Sequence, residues 1–235
     1  MDVAGSTAAK PATQVDPAAA IVVRAPADDI PDYVSRGGHK LAGALDAFGY
    51  DPAGRRVLDA GASTGGFTDL LLRRGAAHVV AVDVGYGQLA WPLQQDERVT
   101  VVDRTNVRDL VPDLVGEPVE LVVADLSFIS LRLVLRPLRE VTRPDGDLVL
   151  MVKPQFEVGR ERLGSGGVVR DGQTRADAVR GVAAAALELG LGCRAVTASP
   201  LPGPSGNVEY FVWLRADAGA LDDEALRLAV EAGPQ

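Results

Sequence analysis

Cysteine, lysine and aromatic residues are scarce in this sequence of 235 residues. The single cysteine, Cys193, cannot form an intrachain disulfide or a multi-thiolate metal site, and its apolar neighbours predict a buried, inert thiol. No stretch approaches the roughly 18 uncharged residues that a membrane span needs, and the N-terminus lacks the basic start and apolar run of a secretory signal. We therefore expect a soluble protein of the cytoplasm with no membrane contact.

Lysine is rare among the 24 basic residues, because only Lys10, Lys40 and Lys153 are not arginine. Arginine stays protonated in proteins, whereas lysine can be tuned to give up its proton. Positions that keep lysine in an arginine-rich chain are therefore candidates for proton chemistry. The two histidines, His39 and His78, are too isolated to form a ligand set, and no metal is predicted.

The formal net charge of −8 argues mildly against a nucleic-acid partner, because such binding depends on Lys and Arg contacts with phosphates. One group of basic residues has the 4-3-4 spacing of a single helix face and could contact phosphates. A solvated helix face is the commoner explanation of such a run. The group consists of Arg132, Arg136, Arg139 and Arg143.

From residue 56 onward, strand-like apolar runs alternate with helix-like segments. This alternation predicts an α/β fold with a doubly wound sheet. The strands are continuous Val, Leu and Ala runs, as expected for a mostly parallel sheet that has helices on both faces. Before the first strand, an amphipathic helix is predicted from the i, i+3, i+4, i+7 spacing of Leu41, Ala44, Leu45 and Phe48.

Four carboxylates lie at or just after the ends of separate apolar runs, at Asp59, Asp83, Asp103 and Asp125. Ligands of open α/β sheets bind at the carboxyl ends of the strands, so these residues predict a polar ligand at one edge of the sheet. A single aspartate of this kind could instead cap a helix.

The segment VLDAGASTGGF, residues 57–67, ends a strand, turns and starts a helix. Its glycines allow backbone amides to approach a ligand closely. The pattern G-A-S-T-G-G differs from the G-x-G-x-x-G of dinucleotide dehydrogenases and favours S-adenosylmethionine, with Asp59 on the methionine ammonium and Asp83 on the ribose hydroxyls. An ordinary glycine-rich turn is the alternative. The cofactor contacts predicted within the loop are Gly61, Ser63, Thr64, Gly65 and Gly66.

Two further segments, VVADLSF and LMVKPQFE, place Asp125 and Lys153 at the ends of the fourth and fifth strands, within reach of each other. A lysine is costly to bury without a counter-charge, so the pair is either a structural salt bridge or a site of proton chemistry. Glu209, at the head of the last strand, also needs a cationic partner, for which Lys40 and Lys153 are the candidates.

Six segments resemble the TlyA family of ribosomal RNA (cytidine-2′-O)-methyltransferases, within the FtsJ-like class. They are SRGGHKL, LDAGASTGGF, DVGYGQL, VADLSFIS, VKPQFEVG and SPLPGPSGNVEYF. The resemblance implies a Rossmann-like class I S-adenosylmethionine-dependent methyltransferase with a seven-stranded, mostly parallel sheet. It also implies a catalytic tetrad, whose matching positions are Lys40, Asp125, Lys153 and Glu209.

For the cofactor, S-adenosyl-L-methionine, the resemblance implies contacts from the glycine-rich loop, from Asp83 and from a polar residue after the third strand. At that last position Asn106 is favoured over Asp103. A ribose hydroxyl has a pKa far above neutrality, so its attack on a methyl group requires a positioned base, and Lys153 is the candidate.

The implied function is 2′-O-methylation of ribose in 16S or 23S ribosomal RNA, at cytidine, with ribosomal RNA or ribosomal subunits as partners. One alternative is a methyltransferase that acts on a small molecule or a protein, which would have little need of the two lysines. Another is a membrane-active haemolysin, which the historical family name suggests. An acidic chain without a basic amphipathic segment argues against direct lysis.

The resemblance also predicts the domain organisation. Residues 1–30 are interpreted as the remnant of an S4-type RNA-binding domain with a linker. Residues 31–216 form the FtsJ-like methyltransferase domain, and residues 217–235 form a helical C-terminal tail.

Overall fold

The computed structural model describes residues 32–234 and three two-residue strands nearer the N-terminus. These short strands, Asp2–Val3, Ser6–Thr7 and Ile21–Val22, pair as an antiparallel sheet. The chain divides into two compact units, Met1–Asp32 and Tyr33–Gln235. The interpretation of residues 1–30 therefore lies almost wholly outside the described residues.

Seven strands of the larger unit form one sheet. They are β1 Arg56–Ala60, β2 His78–Val82, β3 Val99–Val102, β4 Val119–Ala124, β5 Thr142–Val152, β6 Gly192–Ala198 and β7 Tyr210–Arg215. Their order in the sheet is β3-β2-β1-β4-β5-β7-β6. Strand β7 is antiparallel to both of its neighbours, and every other pair in the sheet is parallel. The predicted class, a mostly parallel seven-stranded α/β sheet, is confirmed.

Helices cover both faces of this sheet, because alternate strand residues point to opposite sides. The helices are α1 Arg36–Phe48, α2 Gly66–Arg73, α3 Trp91–Gln94, α4 Pro112–Val115, α5 Leu135–Glu140, α6 Pro154–Glu157, α7 Gly172–Glu188 and α8 Asp223–Ala232. Val57, Val79 and Val123 pack in one buried cluster with α1 and α2, whereas Leu58 and Val80 pack in the other with α5, α7 and α8. Short 3-10 turns lie at Val107–Asp109, Leu131–Leu133, Arg160–Arg162 and Ser165–Gly167.

The amphipathic helix predicted before the first strand is α1. The Ser35 side chain accepts a hydrogen bond from the backbone N–H of Gly37 and caps its N-terminus, and Gly49 ends it in the left-handed conformation. Leu41, Ala44 and Leu45 are fully buried against the sheet. The packing of this face orients the rest of the helix, including Lys40.

The sheet reverses its winding between β1 and β4, which are neighbours in the sheet although β2 and β3 separate them in the chain. Such a reversal opens a crevice at the carboxyl ends of the parallel strands. Strand β7 runs the other way, so its first residue lies at this same edge. The fold thus collects the ends of several strands around one opening.

The prediction that four arginines share one helix face is wrong, because residues 132–143 do not form a single helix. Arg132 lies in the turn Leu131–Leu133, Arg136 and Arg139 lie in the six-residue α5, and Arg143 lies in β5. The helix ends at Glu140 because the following residues enter the sheet. The Arg139 guanidinium instead donates to the backbone carbonyls of Thr142 and Arg143.

Candidate active site

Two lysine–carboxylate pairs lie at the carboxyl edge of the sheet. Lys153, directly after β5, places Nζ 2.6 Å from Asp125 Oδ1, directly after β4. Lys40, on α1, places Nζ 2.5 Å from Glu209 Oε2, directly before β7. The sequence left the partner of Glu209 open between two lysines, and the structure assigns Lys40.

Burial makes each lysine depend on its carboxylate partner. The side chains of Lys40 and Glu209 are 8% and 1% exposed, and those of Lys153 and Asp125 are 10% and 25% exposed. A buried charge without its partner is strongly unfavourable, so the removal of one member would leave the other uncompensated. The tetrad is therefore held in place by mutual neutralisation of its charges.

Ser127 is a further member of the site that the sequence analysis did not identify. Lys153 Nζ donates a hydrogen bond to Ser127 Oγ at 2.9 Å. Ser127 follows Asp125 by two residues in VADLSF, so only its presence in that segment could have drawn attention to it. Asp125 and Ser127 together hold the amine from one loop.

Two cavities meet at these residues. The first, which we call the Asp83 pocket, has a volume of about 590 Å³ and is lined by Asp83, Asn106 and Phe128, among others. The second, which we call the tetrad pocket, has a volume of about 460 Å³ and contains all four tetrad residues. The residues that line both are Gly61, Ser63, Asp125 and Ser127. A ligand in the Asp83 pocket would therefore adjoin a ligand beside Lys153.

Gly61 is required where the loops after β1 and β4 meet. Its φ is 84°, and a β-carbon at this position would lie 2.7 Å from the Asp125 backbone oxygen and 2.9 Å from Leu126 Cδ2. A side chain at position 61 would therefore collide with the loop after β4, at the place where the two pockets meet.

Asp83 lies in the pocket wall with its carboxylate already oriented. Oδ2 accepts the backbone N–H of Ser63 at 2.8 Å, and Oδ1 accepts that of Gly85 at 2.7 Å. Each carboxylate oxygen can accept a further hydrogen bond, so Asp83 can receive two hydroxyls from a ligand. The backbone N–H groups of Ser63 and Gly61 both donate within the protein, that of Ser63 to Asp83 and that of Gly61 to the Val82 carbonyl.

Asn106 also lines the Asp83 pocket, and Asp103 is not among its lining residues. Asn106 Oδ1 accepts the backbone N–H of Arg108 at 3.0 Å, which caps the turn Val107–Asp109. Asp103 Oδ2 instead accepts the backbone N–H of Gly87 at 2.9 Å. Of the two residues, Asn106 therefore lies in the wall of the pocket and Asp103 does not.

Asp59 requires a correction, since the sequence analysis assigned it to the methionine ammonium. Its side chain is fully buried, because it points from β1 toward α2 rather than into the crevice. Oδ2 accepts the Thr68 hydroxyl at 2.7 Å, and Oδ1 is buried and has no hydrogen-bond partner among the residues that the structure describes. Burial raises its pKa to about 7, and the nearby charge of Asp125 adds to the effect. The carboxylate of Asp59 is therefore closed off from the crevice in this structure.

The loop residues Thr64, Gly65 and Gly66 divide between the site and the core. Thr64 and Gly66 line the tetrad pocket. A β-carbon on Gly65 would instead meet the side chains of Leu93 and Leu89, and the Gly65 amide donates to the Ala62 carbonyl at 2.8 Å. Gly65 therefore packs so closely against these two leucines that a side chain would not fit.

Phe128 is an unexpected feature of the wall of the Asp83 pocket. It is 91% exposed, and its φ of 64° is unfavourable for a bulky side chain. Its ring centroid lies 5.2 Å from that of Phe156, a residue of α6, the helix that begins directly after Lys153. No sequence rule points to a strained aromatic residue, because backbone strain is a property of the folded loop.

Within residues 32–234, no group of three or more His, Cys, Asp or Glu side chains could hold a metal ion. None of the helices in this range is long and apolar enough to cross a membrane.

Comparison with known proteins identifies related sequences. The FtsJ-like methyltransferase family model matches residues 33–216. The "16S/23S rRNA (cytidine-2'-O)-methyltransferase TlyA" of Mycobacterium tuberculosis is 57% identical over 236 residues, which cover 98% of this chain and 87% of that protein. The "23S rRNA (cytidine-2'-O)-methyltransferase TlyA" of Campylobacter jejuni is 34% identical over 77% of this chain and 70% of its own length.

Solved structures include a similar fold. The "Putative hemolysin from Streptococcus thermophilus" superposes with a TM-score of 0.82 at 39% identity, over 87% of this chain and 75% of that one. The similarity therefore extends from the sequence motifs to the arrangement of the whole sheet.

Proposed function

The chain is a member of the TlyA group of FtsJ-like methyltransferases, and we propose that it methylates a ribose 2′-hydroxyl of ribosomal RNA with S-adenosyl-L-methionine as the methyl donor. The observation that carries the proposal is the Lys153–Asp125 pair at the junction of the Asp83 pocket and the tetrad pocket. A base at that junction lies between a donor in one pocket and an acceptor in the other.

The Asp83 pocket fits this donor. Its volume of about 590 Å³ lies within the range of small-molecule sites. Asp83 would accept the ribose hydroxyls, and Asn106 would contact the adenine. Asp83 and Asp125 also supply negative charge for a cationic ligand, a role for which Asp59 is not available. When bound, the donor supplies an electrophilic methyl group.

Lys153 would act as the general base. In its neutral form its Nζ would accept the proton of the ribose 2′-hydroxyl, and the bound donor would supply the methyl group, whose carbon–sulfur bond would break as its bond to the hydroxyl oxygen forms. Asp125 and Ser127 hold Nζ in place, and the Asp125 carboxylate stabilises the ammonium that forms. The Lys40–Glu209 pair forms another part of the tetrad pocket and would position the ribose.

The rim of the two pockets offers contacts for RNA despite the net charge of −8. Arg36 lines the tetrad pocket and Arg108 lines the Asp83 pocket, and both side chains are exposed. Phe128 presents an exposed aromatic face for stacking of an unpaired base. The target is proposed to be a cytidine, as in the names of the mycobacterial and Campylobacter relatives. A ribosomal RNA substrate would place the reaction in the cytoplasm.

Incubation of the purified chain with ribosomal subunits and methyl-labelled S-adenosylmethionine tests the proposal. We expect label in RNA, and 2′-O-methylcytidine on mass spectrometry of the digested nucleosides. Label in ribosomal protein instead of RNA would favour the protein methyltransferase. No binding of S-adenosylmethionine by calorimetry would overturn the methyltransferase function itself.

A further inference from the structure

The loop after Asp125 forms one wall of the Asp83 pocket and does not hold its conformation by regular secondary structure. Phe128, in the middle of this loop, adopts a backbone conformation that is costly for a bulky residue. Such a conformation persists only where the surrounding structure determines it. The pocket-lining residues of this loop are Leu126, Ser127, Phe128, Ile129 and Ser130.

Glu157 binds the far end of this loop. Its Oε2 accepts the Ser130 hydroxyl at 2.6 Å, and its Oε1 accepts the backbone N–H of Leu131 at 2.7 Å. The Glu157 side chain is 2% exposed, and Arg132 Nε lies 3.4 Å from Oε2. Arg132 also donates to the Glu157 backbone oxygen at 3.0 Å. Both carboxylate oxygens of a buried glutamate are therefore engaged by the loop, and an arginine supplies the counter-charge.

Glu157 belongs to the same short segment of the chain as Lys153. Glu157 ends α6, a helix of four residues that begins immediately after Lys153. Lys153 donates to Ser127 at the near end of the loop, and Phe156 contacts Phe128 at its centre. The segment 153–157 thus contacts the loop at its beginning, middle and end. A helix this short has little stability of its own, so the loop and the segment hold each other.

We propose that Glu157 is a positioning residue that clamps the loop 126–131 to the segment of Lys153, and so sets the shape of the Asp83 pocket and the place of the base together. Glu157 lines neither pocket, so it acts through the loop rather than by contact with a ligand. The inference rests on the proposed function, because it takes the Asp83 pocket as the S-adenosylmethionine site.

The substitution Glu157→Gln tests the clamp with little change of shape. An amide has one acceptor oxygen, so it can accept only one of the two loop donors at these positions and leaves Arg132 without its counter-charge. We expect the dissociation constant for S-adenosylmethionine to rise about tenfold, in line with the loss of a charge-assisted hydrogen bond. The kcat should fall as well, because Lys153 loses its support. Calorimetry measures the affinity, and methyl transfer at saturating donor separates kcat from KM.

One control and one further variant of the clamp separate positioning from general destabilisation. Asp147→Asn alters another fully buried carboxylate, which accepts from Tyr50 and Trp213 within the fold and lines neither pocket. It should lower thermal stability while the affinity for S-adenosylmethionine stays at the parental value. Arg132→Gln, at a side chain that is 48% exposed, should weaken binding in the same direction as Glu157→Gln but less.

The outcomes distinguish the clamp from the proposed function. A parent protein that does not bind S-adenosylmethionine would refute the proposed function. A parent that binds, with both Glu157→Gln and Arg132→Gln at parental affinity, would refute the clamp alone. If Glu157→Gln does not fold, Arg132→Gln decides. A less-than-additive effect on binding in the double variant would support action of both residues through the same loop.

Discussion

The proposed function requires of Lys153 a property that arginine lacks. Both tetrad lysines are buried and each has one carboxylate partner, an arrangement that arginine could also satisfy. Only lysine, however, can release its proton and return as a base. The arginine bias of the chain therefore makes Lys40 and Lys153 informative.

Lys153→Ala and Lys153→Arg should each lower the rate of methyl transfer by about 100-fold or more. A general base accelerates a reaction by at least this factor, and guanidinium cannot act as a base. The dissociation constant for S-adenosylmethionine should stay within a few-fold of the parental value. Methyl transfer to ribosomal subunits and calorimetry make the two measurements. Arg227→Lys, at an exposed ion pair of α8, is the control for a change of basic residue. Turnover near the parental rate in Lys153→Arg would leave Lys153 only an electrostatic role.

Asp59 should make the stability of the fold depend on pH. Burial raises its pKa from 3.8 to about 7, so the folded state favours the protonated form. The corresponding stability is fully present below the unfolded pKa and is lost as the pH rises through about 7. Asp59→Asn has no proton to lose and should lack this decline.

Urea denaturation of the parent and Asp59→Asn at pH 5, 6, 7 and 8 measures the effect. The free energy of unfolding of the parent, minus that of the variant, should decrease as pH rises and then level off. Each unit of raised pKa corresponds to about 1.4 kcal/mol over the full titration. A difference that is constant across this range would show that Asp59 does not titrate there.

Helices α1 and α2 approach each other closely at their N-termini, beside the tetrad pocket. A β-carbon on Gly66 would overlap the Ser35 side chain and lie 3.0 Å from the backbone nitrogen of Gly38. Gly38 has its own constraint, since a β-carbon there would lie 2.5 Å from the Tyr33 ring. This contact between helices determines how far Lys40 stands from the glycine-rich loop.

Gly66→Ala should destabilise the protein by about 1–3 kcal/mol, because overpacking forces the backbone to shift. Gly181→Ala is the matched control, as Gly181 lies within α7 and a β-carbon there meets nothing within 4 Å. That change should stabilise the protein by roughly 0.5–1 kcal/mol, because alanine favours the helix. Chemical denaturation compares the two variants, and the same sign for both would contradict the packing argument.

At the scale of the whole molecule, the net charge is −8, yet an arginine side chain lines each of the two pockets. Arg36→Gln should raise the KM for ribosomal subunits and reduce the salt dependence of KM by about one counterion, because one phosphate contact is lost. The kcat at saturation should change little. Arg227→Gln, on α8, is the control and should alter neither quantity. Equal salt slopes for the parent and Arg36→Gln would place RNA contacts elsewhere.

The class of the sheet, and the strand ends at which Asp83, Asp125 and Lys153 lie, could be predicted from the sequence, because they depend on neighbouring residues. Apolar runs separated by helices specify a parallel sheet, and the residue after each run must lie at its carboxyl edge. That rule brought Asp83, Asp125 and Lys153 to one opening without any knowledge of the packing. It does not state which way a side chain turns.

Side-chain direction and partners depended on contacts between distant elements. The pleat of β1 directs the Asp59 side chain toward α2. Gly65 lies against the side chains of Leu89 and Leu93. The Lys40–Glu209 pair joins residues 169 positions apart, and Glu157 reaches a loop 26 positions away. Local patterns report where a strand or helix ends, because the backbone there depends on the residues alongside. Which buried charge meets which partner is decided only when helices and loops pack, since desolvation excludes the arrangements that leave a charge alone.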